Sequence, residues 1–305
     1  RASIITGRHP TRHGVGDPTL AGSFPASELT IPEIFTAQSS PYSLASFGKW
    51  HLGGGNTGPA TLGGWPEFRG IIGGGVTNYY SWNKTVNGVT TTSTTYTTTD
   101  QVNEAVSFIT TAQGTSTPWF AWVAFNAPHT PFHNPPSALH SYPAYDVDEN
   151  GEITTASDNR PAYEAALQTL DTEIGRLLAT VDIATTNIIL IGDNGTPGQV
   201  VQAPFSNGHA KGSLYDGGVH VPLVIAGPDV SLCGTSSRFV HCVDLFSTIL
   251  ELAKIDVPTA TASVDVIDSQ SLLPILKGQD TADRCIVSET FTNPATASDG
   301  RTIIS

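Results

Sequence analysis

The feature that most constrains this chain is an apolar run that stops abruptly: Ile188-Ile189-Leu190-Ile191 is followed at once by Gly192-Asp193-Asn194-Gly195. A β-branched run bounded by glycine reads as a buried strand, and in an open α/β sheet the loop at a strand's carboxyl end is where ligands bind. Asp193 and Asn194 are therefore placed as site residues. Side by side they offer two hard oxygen donors, which suit Ca²⁺ better than zinc, an ion that prefers His or Cys; Mg²⁺ is the second choice. Taken alone, the same residues read equally as an Asn-Gly turn with an Asp helix cap, so the rest of the chain decides.

Short apolar runs alternate with helical periodicity along the chain. Glu28 to Gln38 reads as a helix with Pro32 near its start, followed by a strand from Tyr42 to Phe47. From Asn78 to Thr99 the pattern is β-like, with Asn87-Gly88 as a hairpin turn between an aromatic arm and a Thr-rich arm. Asp100 is read as the cap of a helix with Val102, Ala105, Val106 and Ile109 on one face, and Trp119 to Phe125 as the buried strand after it. Ala162 to Val181 carries the strongest helical stripe, formed by Ala166, Leu170, Ile174, Leu177 and Leu178. Leu223 to Ala226 is a further strand, and Phe239 to Ala253 a helix with Leu245, Ile249 and Leu252 inward. This order predicts an α/β fold: a large mixed, mostly parallel β-sheet with helices on both faces.

Charge narrows the function classes. The net charge is −13, with five lysines and nine arginines in 305 residues, which argues against a nucleic-acid partner. The longest apolar runs are far too short to span a bilayer, so no membrane span is expected. An acidic, Thr-rich, lysine-poor chain is compatible with a periplasmic or secreted home. Cys233, Cys242 and Cys285 have no metal-ligand spacing; either Cys233 and Cys242 close a short disulfide loop in an oxidising compartment, or all three are thiols. The chain begins with Arg and contains no Met, so it reads as a piece cut from a longer polypeptide.

With cations this scarce, any anion site is local, and four stretches stand out. Arg1, Arg8, His9, Arg12 and His13 cluster around a short helix-compatible segment ending at Gly7, a candidate anion cradle or a solvated terminal helix. Lys49 and His51, in Gly48-Lys49-Trp50-His51-Leu52-Gly53, share a face if the preceding strand continues, and the glycines allow close approach to a ligand. His129 stands at a strand's carboxyl end between Pro128 and Pro131, which rigidify its loop, while His133 reads as a rim residue or a second site group. Lys211 lies in Asn207-Gly208-His209-Ala210-Lys211-Gly212, where glycines leave room for a small anion. A fifth stretch, Asp146 to Ile153, resembles the first part of an EF-hand calcium loop, but position twelve is Ser157 rather than Glu, and it reads as an acidic surface insertion.

Together, Arg1-Ala-Ser-Ile-Ile-Thr-Gly-Arg8, Gly48 to Gly53, Pro128-His129, Gly192-Asp193-Asn194-Gly195 and Lys211-Gly-Ser-Leu-Tyr-Asp-Gly-Gly218 resemble the sulfatase family of the alkaline-phosphatase superfamily. The motifs stand in family order across nearly the whole chain. The resemblance implies residues 1–285 as the catalytic core and residues 286–305 as the start of a truncated C-terminal subdomain.

It also implies a formylglycine enzyme. In that family a Cys or Ser is oxidised to an aldehyde, whose hydrate attacks the sulfur of a sulfate ester, expels the alcohol and then releases sulfate. By this resemblance Arg1 fixes the aldehyde hydrate, Lys49, His51 and Lys211 cradle the sulfate, His129 stands near the leaving oxygen, and Asp193 and Asn194 hold half of a calcium site. The substrate is then a sulfated small molecule or carbohydrate. The chain departs from the family in lacking the signature Cys-x-Pro-Ser (or Ser-x-Pro-Ser) before Arg1 and the upstream Asp pair, and none of its cysteines has a Pro two residues on and an Arg four on. Residues 1–305 alone are therefore expected to be inactive. Two further readings stay open: a non-catalytic relative that binds sulfated ligands, and a phosphate or phosphonate ester hydrolase of the same superfamily. Specificity is expected in the loops from Gly53 to Gly75 and near Asp146.

Overall fold

Two seams, after Ser40 and after Val181, divide the chain. In the computed structural model, which describes residues 1–279, 282, 284–291 and 300–304, Arg1–Ser40 and Asp182–Ser305 form one unit and Pro41–Val181 the other.

The first unit opens with α1 (Ala2–Thr6), which ends where the sequence places its stop: Gly7 takes φ 68 and its amide closes onto the Ser3 carbonyl. Packing demands glycine there as well, since a Cβ would lie 2.6 Å from the Phe246 ring. After α2 (Pro10–His13), α3 (Ile31–Ala37) begins at a capping box in which Thr30 and Glu33 satisfy each other's amides, and it buries Ile31, Ile34 and Phe35.

The second unit is contiguous. Its strands are β1 (Ser43–Lys49), β2 (Phe68–Ile71), β3 (Trp82–Val86), β4 (Val89–Ser93) and β5 (Trp119–Ala124), and its helices α4 (Gly58–Thr61), α5 (Thr97–Gly114) and α6 (Asn159–Leu178). Among the described residues they build a mixed sheet in the order β4-β3-β2-β1-β5. Its centre is parallel, β1 pairing with β2 and β5, and the β3–β4 hairpin extends it antiparallel. The turn of that hairpin is Asn87-Gly88, both with positive φ, as a two-residue hairpin loop requires. Ala45 and Phe47 of β1 pack with Ala105, Phe108 and Ile109 of α5 in one core cluster. Ile71, Val76, Tyr79, Trp82, Tyr96 and Ala127 form a second.

Helix α5 starts earlier than the sequence suggests. Asp100 is not its cap but lies in its first turn, where its carboxylate binds Lys84 at 2.6 Å and Ser93 Oγ at 3.1 Å. The start moves back because both the amide and the hydroxyl of Thr97 donate to the Tyr79 carbonyl, at 2.9 Å each. His133 is a core residue rather than a rim one: it is 4% exposed, stacks on Tyr79 with centroids 3.9 Å apart, donates from Nδ1 to the Pro131 carbonyl and accepts the Tyr96 hydroxyl at Nε2.

The first unit then resumes with β6 (Ile188–Ile191), α7 (Asp216–Val219), β7 (Leu223–Ala226), α8 (Asp244–Leu252), α9 (Val257–Ala260), α10 (Leu273–Leu276), β8 (Ile286–Thr290) and β9 (Gly300–Ile304). Strand β6 forms where the sequence places it, but it is half-buried rather than buried, and it pairs antiparallel with β7. Helix α8 begins five residues later than expected, because the Asp244 carboxylate is taken by the amides of His241 and Gln270 and by Arg284. Leu245 and Ile249 point inward as expected, joined by Phe246 and Leu250. All three cysteines are free, so the disulfide alternative fails. Among the described residues no helix is long and apolar enough to cross a membrane.

The β1–β2 pairing rests on a glycine pair. Gly70 opposes Gly48, and a Cβ on Gly70 would lie 1.9 Å from the Gly48 carbonyl oxygen, a backbone atom that cannot give way. Gly70→Ala is expected to destabilise the second unit by about 3 kcal/mol. Tryptophan fluorescence in urea measures this selectively, because Trp50, Trp65, Trp82, Trp119 and Trp122 all lie in that unit. An unchanged midpoint would contradict the packing argument.

Candidate active site

The sequence-derived site residues fall into two groups, one in each unit. In the second unit Lys49 is the last residue of β1, opposite Ile71. The strand does not continue through His51 as the shared-face argument assumed, since His51 takes φ 56. The backbone nevertheless stays laced to the end of β2, with the amides of Trp50 and His51 donating to the carbonyls of Ile71 and Ile72 at 2.9 Å each. Buried Trp50 and Leu52 hold the turn on either side, Trp50 through Nε1 to the Gly53 carbonyl at 2.8 Å. His51 is thus positioned by its neighbours' burial rather than by strand alternation.

His129 follows β5. Its amide donates to the Asn126 carbonyl at 2.9 Å, its own carbonyl accepts the Tyr79 hydroxyl at 2.7 Å, and the X-Pro bonds on both sides of it are cis. Its Nδ1 lies 2.9 Å from the Thr130 carbonyl oxygen. A carbonyl only accepts, so Nδ1 carries hydrogen and Nε2 is the nitrogen that gains or releases a proton.

A run the sequence analysis had only included in a broad specificity loop ties these imidazoles together. A Cβ on Gly74 would lie 2.7 Å from His51 Cε1, and one on Gly75 3.4 Å from His129 Nδ1. Gly74 thus lies against the His51 ring and Gly75 beside the His129 ring, and a run of successive glycines was the signal for it.

In the first unit, Asp193 and Asn194 stand exposed just beyond β6. Their loop is stitched to the one bearing Lys211: Gly195 donates to the Gly218 carbonyl and Lys211 to the Thr196 carbonyl, at 3.0 Å each. Glycine is required at 195, where a Cβ would lie 1.9 Å from the Gly217 carbonyl oxygen. Half-buried Arg1 precedes α1; burial pushes its guanidinium below the ordinary value, and the Asp193 carboxylate pulls it back up.

The donor set here suits a hard divalent cation as far as it goes. Asn194 uses Nδ2 on the Gly195 carbonyl, which leaves Oδ1 to face a ligand beside the Asp193 carboxylate. Ca²⁺ takes six to eight oxygens, so two residues supply a minority of them. Among the described residues no cluster of three or more His, Cys, Asp or Glu is placed to hold a metal.

The basic cluster at the start of the chain is not one cradle. Arg8 pairs with Glu28 at 2.7 Å, Arg12 with Asp268 at 2.7 Å, and buried His13 bonds Ser3 Oγ at 3.0 Å, while the ring of His9 packs edge-on against His241. Asp146 to Ile153 is an exposed loop whose Asp148 carboxylate accepts the amides of Asn150 and Glu152, in keeping with a surface insertion.

Residues 1–255 match the profile of the sulfatase family, and the chain belongs to that family, with its alkaline-phosphatase-like α/β fold. An uncharacterized sulfatase of Escherichia coli K12, YdeN, is 27% identical over 309 residues, covering 91% of this chain and 52% of the relative. Human N-acetylglucosamine-6-sulfatase is 25% identical over 324 residues, covering 91% of this chain and 56% of the relative. The chain thus spans about half the length of these curated relatives. The solved structure of BT4656 in complex with its substrate D-glucosamine-2-N,6-O-disulfate shares the fold, with a TM-score of 0.76 at 19% identity over 100% of this chain and 76% of that one.

Two buried histidines outside the site set an acid limit. Burial pushes His13 and His133 down to about 4. Each uses a lone pair in the fold, His13 Nδ1 accepting the Val15 amide and His133 Nε2 the Tyr96 hydroxyl. The unfolded chain takes up these protons from about pH 6.5 downward, so their contribution is whole above that value and is lost as pH falls to about 4. Stability is expected to fall by about 1.4 kcal/mol per pH unit for each imidazole within that window. Urea midpoints measured from pH 7 to 4.5 check this; a flat series would refute it.

Proposed function

We propose that the complete gene product hydrolyses a sulfate ester to an alcohol and sulfate. The observation that carries this reading is the family match over residues 1–255, within which Arg1, Lys49, His51, His129, Asp193, Asn194 and Lys211 all fall. When present, a formylglycine encoded before Arg1 would supply the nucleophile, and a divalent cation at Asp193 and Asn194, Ca²⁺ by its oxygen preference, would polarise the group being attacked.

The chain's own residues have separable tasks. Lys49 and His51 in one unit, and Lys211 in the other, are each N–H donors of the kind that binds sulfate oxygens and offsets the negative charge that grows as an ester bond breaks. Arg1, whose charge the Asp193 carboxylate favours, orients the nucleophile. His129 delivers the proton to the departing oxygen from Nε2, while Nδ1 stays bound to the Thr130 carbonyl and fixes the ring's orientation. Gly74 and the buried flanks of His51 hold one imidazole in place, and Gly75 packs beside the other. A sulfated carbohydrate is the favoured substrate class, since the human relative is an N-acetylglucosamine-6-sulfatase and BT4656 takes a glucosamine disulfate.

The proton-donor role makes a leaving-group prediction. A sugar alkoxide needs protonation to depart and a nitrophenolate does not. His129→Asn is therefore expected to lower kcat/KM by about a hundredfold to ten-thousandfold on glucosamine 6-sulfate and by less than about tenfold on p-nitrophenyl sulfate. Equal losses on both esters would remove His129 from that role. A wild-type protein that cleaves matched phosphate esters and no sulfate ester would overturn the reading as a whole.

A further inference from the structure

The loop that carries Lys211 also carries two aromatic rings that the fold does not bury. His209 and Tyr215 stack with centroids 3.7 Å apart and planes inclined by 34°, and Tyr215 is 58% exposed. Residues 202–209 are all exposed, whereas Ala210 and Gly218 are buried and anchor the loop from below. The backbone is pinned around the rings: His209 donates to the Ser206 carbonyl at 2.9 Å, Ser213 to Ala210 at 3.0 Å and Gly218 to Tyr215 at 2.8 Å. Phe205 closes in beside them, near enough that a Cβ on Gly217 would lie 2.8 Å from its ring.

We propose that the stacked Tyr215–His209 pair is a platform for the sugar ring of a sulfated carbohydrate whose sulfate is held at Lys211. The inference rests on the sulfatase reading and assigns the part of the substrate that reading leaves open. His209 packs against Tyr215 while more than half of the tyrosine stays exposed, so the exposed ring is already held by a neighbour and loses little freedom on binding. A pyranose presents a flat C–H face to such a ring and hydroxyls around its rim, which match the phenol oxygen and imidazole nitrogens at the edge of the stack. A purely apolar leaving group would call for an enclosed apolar pocket rather than an open stack with polar edges. Reach is adequate, because Lys211 and Tyr215 are four residues apart and their Cα atoms lie within about 14 Å even if the loop were fully extended. The Ala210–Ser213 turn shortens that span.

The test uses the complete gene product, with glucosamine 6-sulfate and p-nitrophenyl sulfate as substrates and inorganic sulfate as a competitive inhibitor. Tyr215→Ala is expected to raise KM for the sugar sulfate by about tenfold, with kcat, the KM for p-nitrophenyl sulfate and the sulfate inhibition constant each within about twofold of wild type. Tyr215→Phe, which keeps the ring, should recover most of the loss, and circular dichroism checks that both variants are folded. An unchanged KM for the sugar sulfate, or an equal rise for both esters and for inorganic sulfate, overturns the platform while the sulfatase reading stands. A folded wild-type protein that turns over no sulfate ester overturns the parent reading, and the platform with it. A misfolded Tyr215→Ala shifts the decision to His209→Ala, for which a KM rise confined to the sugar sulfate supports the platform and an unchanged KM rejects it.

Discussion

Close contact between glycines at strand ends is the constraint on which the rest of this structure depends. In the second unit the Gly48–Gly70 pair lets β1 and β2 approach where side chains would hold them apart, and β1 ends one residue on at Lys49, with His51 in the turn beyond it. In the first unit Gly195 meets the Gly217 backbone, which ties the Asp193-Asn194 loop to the loop of Lys211. In both units the backbone is brought within hydrogen-bonding range first, and the charged or basic side chain is carried into place by it. In each unit that arrangement suits groups that bind a small anion, whose positions must be set before it arrives.

Rigidity around the histidines comes from a different source. His51 stands between two buried apolar side chains, and His129 is held at its amide, its carbonyl and one ring nitrogen. Tyr79 links this loop to the core, since it donates to His129 through its hydroxyl, stacks on His133 through its ring and accepts the Thr97 amide at its carbonyl. One buried tyrosine thus couples the start of α5 to the loop after β5.

What could be read in the sequence was what local physics determines. The stop of α1 at Gly7, the hairpin at Asn87-Gly88, the helix with Pro32 near its start and the strand that empties into Asp193-Asn194 each depend on residues a few positions apart. The misjudged features depend on partners far along the chain. Thr97 takes over the start of α5 through Tyr79, and Arg12, which looked like part of an anion cradle, is bound by a carboxylate 256 residues away. The same holds for the site: residue types and spacing marked Lys49, His51, His129 and Lys211. The packing of Gly74 and Gly75 on two imidazoles is a tertiary fact with no local signature beyond the glycines themselves, whereas the His129 tautomer is set by the carbonyl of the very next residue, through a backbone direction that residue types do not spell out.

The division of the chain has a consequence for its birth. Residues 41–181 are continuous and hold a five-stranded sheet among their described residues, so the ribosome delivers that sheet in one stretch. The other unit is made from two separated stretches: the Thr11 amide donates to the Glu289 carboxylate, and the Phe291 amide to the Gly16 carbonyl. These contacts cannot close until some 275 further residues have emerged, which at about 5–20 residues per second is a wait of roughly 14 to 55 seconds. For most of that interval the segment bearing Arg1 and α1 is without its final partner Phe246, and the newborn chain must carry an apolar helix that has nowhere yet to go.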